Sequence, residues 1–219
     1  MTATESSLRE EICRVGASLY GRGYVHGTTG NISARLPDGY LITPTDACLG
    51  FLEADQLAKV TSDGKQISGL PPSKTLRLHA SIYRADETAA CIIHTHSRNL
   101  VALTLRGIWS SDDIVPPLTP YYVMKVGHVP LIRYHRPGDP AVAELVIQKI
   151  ESMRQRKTPI RAVMIDRLGP NVWNDTPTAA MATLEEIEET AYLWNVRQDA
   201  APLTAEQIEE LNEAFSTRW

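Results

Sequence analysis

Of 219 residues, only three are cysteine and only two are phenylalanine. Cys13, Cys48 and Cys91 are too few and too scattered for a disulfide framework or a Cys-x-x-Cys metal site. Cys13 and Cys91 have apolar neighbours and read as buried thiols. Long apolar runs are missing too: no stretch approaches the roughly 20 residues that span a bilayer. The opening Met1–Ser7 lacks a cationic segment followed by an apolar run. These absences predict a cytoplasmic protein with no membrane partner. An excess of positive charge is also lacking, since 22 Lys and Arg face 26 Asp and Glu. The basic footprint of a nucleic-acid binder is therefore absent. What remains is ordinary: 43% hydrophobic and 22% charged residues exclude disorder and fibrous repeats. The length suits one domain spanning 1–219.

Helices alternate with hairpin-like strands. Ser7 and Glu10 have capping-box spacing before the stripe Leu8, Ile12, Val15 and Leu19, and Gly21 and Gly23 end that helix. Pro37-Asp38-Gly39 reads as a turn with Tyr40–Thr43 as the returning strand, and Ser62-Asp63-Gly64-Lys65 as another turn before Pro71-Pro72-Ser73. Cys91–His94 and Arg161–Ile165 read as buried strands, the second broken by Gly169-Pro170, and Val129–Ile132 as an edge strand because Pro130 cannot donate to a ladder. Trp109 to Tyr122 reads as a long loop. Two C-terminal helices follow. Glu185, Glu186, Glu188 and Glu189 form the solvated face of the first, and the second opens on a Thr204/Gln207 box and buries Ile208, Leu211 and Phe215. The class is α/β or α+β in a single domain.

Three segments could carry chemistry. In His94-Thr95-His96, strand alternation points both imidazoles to one side, where they could share a divalent ion. A core histidine followed by a helix-capping one has the same spacing. Gly27-Thr28-Thr29-Gly30-Asn31 offers hydroxyls, an amide and backbone N–H groups as an anion cradle, or else a strained turn. Pro72-Ser73-Lys74-Thr75 precedes a helix, where the N-terminus, a hydroxyl and an ammonium suit phosphate. An ordinary N-cap with an exposed lysine reads alike.

The order of segments is more specific than any one of them. GTTGNISAR, LITPT, PPSK, LHASIYR, CIIHTHS, PYYVMKVGHVPLI and YHRPGD, in that succession, resemble the class II aldolase/adducin family over nearly the whole chain. PSK and PYYVMKVGHVPLI are similar to its 3-oxo-tetronate 4-phosphate decarboxylase branch. The resemblance implies a mainly antiparallel central sheet flanked by helices, as in fuculose-phosphate aldolase. It also implies a homotetramer with sites at subunit interfaces. His94 and His96 match paired ligands of a divalent metal, most simply zinc. Thr28, Asn31, Thr45, Ser73 and Lys74 match phosphate-binding positions, although Asp46 stands where the second loop usually has glycine. Tyr121 and Tyr122 match aromatic residues near the substrate, which could supply a proton.

Two positions depart from the family pattern. Thr75 occupies the place of the acid/base glutamate, and a hydroxyl is no carboxylate base near neutral pH. Leu168 occupies the place of the third metal histidine; Asp166, two residues earlier, is the replacement ligand if the strand continues, or else pairs with Arg161 or Arg167 and no metal is held. The resemblance implies a metal-dependent lyase of the sugar-phosphate aldolase or decarboxylase type. The departures leave open a silent family member that binds an anion or a partner subunit, or diverged oxygenase or cyclase chemistry.

Overall fold

The computed structural model describes residues 4–217 and 219. Helix α1 (Glu5–Gly21) starts earlier than the Ser7/Glu10 spacing predicts. Thr4 has extended backbone and its Oγ1 accepts the Ser7 N–H, so Thr4 is the cap and Ser7 lies in the first turn. The helix buries Ile12, Val15 and Leu19 of the expected stripe. Hairpin β1 (Asn31–Leu36)/β2 (Gly39–Ile42) follows, then β3 (Ala58–Thr61) and β4 (Gln66–Ser68). Beyond them come α2 (Leu76–Ala85), β5 (Cys91–His94), α3 (Arg98–Arg106), α4 (Pro120–Lys125) and β6 (Leu131–Ile132). The chain continues through α5 (Ala141–Gln155), β7 (Ala162–Ile165), β8 (Gly169–Asn174), α6 (Pro177–Val196) and α7 (Ala205–Phe215).

The strands make one eight-stranded sheet in the order β4-β3-β2-β1-β5-β8-β7-β6. Every pairing is antiparallel except β6 with β7. The sheet is covered on both faces, and alternation sorts its side chains between two cores. Ile32, Leu41, Ile93, Met164 and Val172 pack against α1, α3, α4 and α6. Tyr40, Ile92, Val163, Ile165 and Trp173 pack against α2 and α5. The expected α/β sandwich with a mainly antiparallel sheet is what forms, and no described helix is long and apolar enough to cross a membrane.

Several local expectations are corrected. The Trp109–Tyr122 loop ends in helix: Thr119 Oγ1 accepts the Tyr122 N–H at 3.1 Å and Pro120 fits the first turn, which starts α4. Gly169-Pro170 does not end a strand but opens β8. Glu188 is not on a solvated face; it is buried, and its carboxylate accepts the backbone N–H groups of Asn99 and Leu100 at the start of α3. Helix α7 has its Thr204/Gln207 capping box but buries none of its residues, and Phe215 is exposed.

Candidate functional site

Three adjacent strands build the floor of the site. The β1–β5 register pairs Asn31 with His94, and the β5–β8 register pairs His94 with Asn171. Partners across a ladder point the same way, so Asn31, His94 and Asn171 form one polar row on the face covered by α2 and α5. Two glycines let the flanking chain come this close. A Cβ on Gly30 would lie 2.9 Å from the His94 carbonyl oxygen, and one on Gly169 would lie 1.9 Å from that of Thr95. Both have positive φ, 83° and 143°.

The walls are loops that precede or connect elements. Thr45 N–H donates to Pro71 O and Ser73 N–H to Thr43 O, which joins the 43–45 segment to the 71–73 segment. Ser73 Oγ lies 3.0 Å from Thr75 Oγ1 just before α2. Across from them, His135 to Pro140 leads into α5. Together these groups enclose a cavity of about 540 Å³. Thr28, Asn31, Thr45, Ser73, Lys74, Thr75, His94, His96, Leu168 and Asn171 all line it. The Thr28–Asn31, Thr45 and Ser73–Lys74 loops predicted to hold an anion thus share one cavity with the two imidazoles. The open ends of two helices, α2 and α5, also face it, which favours negative charge there.

Both imidazoles are held neutral. Burial, and then neighbouring His96, pushes His94 down to about 4, against a smaller opposing effect of the Pro170 carbonyl. His96 is lowered by burial and by His26. His94 Nδ1 lies 2.8 Å from Pro170 O. A carbonyl only accepts, so Nδ1 carries the proton and Nε2 the lone pair. Behind the row, Ser33 Oγ lies 2.7 Å from His79 Nδ1 and 2.8 Å from Tyr83 Oη. Burial pushes His79 down to about 3.

Three expected site residues lie elsewhere. The strand ends at Ile165, and Arg167 adopts φ 59° in the β7–β8 turn, so strand alternation does not carry from Asp166 to Leu168. Leu168 lines the cavity and Asp166 does not. Tyr122 is fully buried in the core under α4, and Tyr121 is exposed; neither reaches this cavity within the chain. Among the described residues, no three His, Cys, Asp or Glu side chains gather in a metal-binding cluster. His94 has the neutral ring and carbonyl-fixed Nδ1 that suit a ligand, yet the donor set stops at two imidazoles. Catalytic zinc sites use three protein ligands. The residues present do not make such a site.

Sequence reading missed part of the lining. His135 and Arg136 come from the YHRPGD segment, which contributed to the family resemblance without either residue being singled out. Arg77 lies one residue into the helix beyond Leu76. Asn171 was hidden because β8 itself was not foreseen, and a carboxamide facing a cavity has no sequence signal apart from strand alternation.

The Class II Aldolase and Adducin N-terminal domain family matches residues 10–195. A 3-oxo-tetronate 4-phosphate decarboxylase of Cupriavidus necator is 55% identical over 99% of this chain and 100% of its own length. One from Escherichia coli K12 is 40% identical over 86% of each chain. The crystal structure of YgbL from Klebsiella pneumoniae superposes with a TM-score of 0.87 at 40% identity, covering 96% of this chain and 100% of that one.

Proposed function

Since this chain belongs to the class II aldolase and adducin family, we propose that it is a lyase that decarboxylates a small phosphorylated keto-sugar acid. The observation that carries this reading is a single cavity where three anion-suited loops and Lys74 meet two neutral imidazoles, with Thr75 in place of a carboxylate base. A retro-aldol cleavage starts by removing a hydroxyl proton, which a threonine does not do. A β-keto acid needs no such base. The electrons of its C–C bond flow into the neighbouring ketone, carbon dioxide leaves, and the resulting enediolate takes up one proton at carbon. Positioned hydrogen-bond donors lower that barrier where the charge develops.

In this reading the phosphate sits among Thr28, Asn31, Thr45, Ser73 and Lys74, at the open N-terminus of α2. Arg77 and Arg136, on the same cavity, offset the second negative charge. The protein works in the cytoplasm as a homotetramer. Tyr121, exposed on α4, then serves a neighbouring copy's cavity as the proton donor. The test is release of carbon dioxide from a 3-oxo-tetronate 4-phosphate, followed with wild type and Lys74→Ala. Wild type should turn over, and the variant should show KM raised about tenfold or more. Tight binding of the phosphate ester with no release of carbon dioxide would instead favour the silent family member.

A further inference from the structure

The Asn171 carboxamide is 1% exposed, and neither its Oδ1 nor its Nδ2 has a hydrogen-bond partner. Unpartnered buried polar atoms are costly and uncommon. Here both ends of one side chain are unsatisfied, on a strand where an apolar residue would fit: Val163, its ladder partner on β7, is one. Asn171 also lines the cavity beside His94, and on the other side of His94 the Oδ1 of Asn31 is likewise buried and unpaired. The row therefore offers N–H donors from the carboxamides of Asn171 and Asn31, of which only the Asn171 nitrogen is fully buried without a partner. It offers three acceptors: Asn171 Oδ1, His94 Nε2 and Asn31 Oδ1.

We propose that Asn171 is a specificity-determining residue that reads the adjacent ketone and hydroxyl of the substrate. Its Nδ2–H donates to the ketone oxygen while its Oδ1 accepts from the neighbouring hydroxyl. A vicinal keto-alcohol presents that acceptor and donor side by side, and the remaining acceptors of the row suit further hydroxyls. A metal chelate would grip the same two oxygens. In this chain, with Leu168 beside the row and two imidazoles only, the carboxamide does so by hydrogen bonds. As C–C cleavage moves charge onto the ketone oxygen, the Nδ2–H is already in place to meet it. This inference rests on the keto-sugar phosphate reading of the cavity.

The test compares three probes in EDTA-containing buffer by calorimetry: dihydroxyacetone phosphate, glycerol 3-phosphate and inorganic phosphate. Wild type should prefer dihydroxyacetone phosphate over glycerol 3-phosphate by roughly tenfold or more, the worth of the ketone contact. Asn171→Leu, or Asn171→Val if leucine does not fold, should lose that preference yet bind inorganic phosphate as before. The apo variant should melt higher than wild type, because two buried unpaired atoms are gone. Equal preference in wild type and variant overturns the role of Asn171, as does a wild type that shows no preference while EDTA is present. Failure of all three probes to bind wild type overturns the phosphate reading, and this inference with it.

Discussion

Gly169 is the position where one added carbon does most. Its φ of 143° suits few other residues, and a Cβ would meet the Thr95 carbonyl oxygen at 1.9 Å, a rigid backbone atom. Gly169→Ala should lose on the order of 3 kcal/mol in urea unfolding and shift the strand that carries His94. Gly21→Ala, at a helix end with open space, should stay within about 1 kcal/mol of wild type. His79 makes a second prediction. Its folded pKa of about 3 lies below the ordinary 6.5, so the unfolded chain binds the extra proton as pH falls. Stability is full above pH 6.5 and declines toward pH 3, by up to about 1.4 kcal/mol per unit from this one group. His79→Asn should flatten that slope in melts taken between pH 6.5 and 4. At this scale the sequence was legible where close spacing decides, as with His94 and His96, whose rings lie 5.1 Å apart on one cavity although the strand stops at His94. It was illegible where tertiary packing decides, as with the unpaired carboxamide of Asn171.

Two helix termini show how differently elements depend on their surroundings. At the start of α3, the buried Glu188 carboxylate accepts from Asn99 N, Asn99 Nδ2 and Leu100 N. Glu188→Ala should cost about 2–3 kcal/mol by chemical denaturation, because buried donors lose their partner. Helix α7 carries a complete capping box yet buries no residue. Thr204→Ala should speed amide exchange within α7, by about 1 kcal/mol of local stability, and leave the global midpoint unmoved. Elements with a clear period or turn chemistry (α2, β5 and the β1–β2 hairpin) were readable from residues alone, whereas of the β3–β4 hairpin only the turn was. Strand β8 was not, because Gly-Pro signals a break. Pro170 escapes the usual penalty by lying one residue outside the β5–β8 ladder, whose last pair is His94 with Asn171. Glu188 was misread for a related reason: one acidic side chain in a run of four can turn inward when another helix offers its N-terminus.

For the whole molecule, assembly is the quantity to measure. Phe51, Tyr121, Tyr134 and Phe215 each leave more than half of their surface exposed, a supply of aromatic groups that interfaces favour. Light scattering coupled to size exclusion should give about four times the chain mass of 24.3 kDa at micromolar concentration. A monomer under those conditions would remove Tyr121 from the reaction.

The row Asn31–His94–Asn171 sits on three paired strands, whereas the walls around it are loops. This gives the two parts of the cavity different evolutionary freedom. Inserting one residue into β5 or β8 would turn every side chain of that strand to the opposite face, so the floor can diverge only by exchanging one side chain for another. The wall segments around Thr45 and His135 can lengthen or shorten without disturbing that register. Descendants of this protein would change which molecule enters by remodelling loops, and change what happens to it by single substitutions in the ladder.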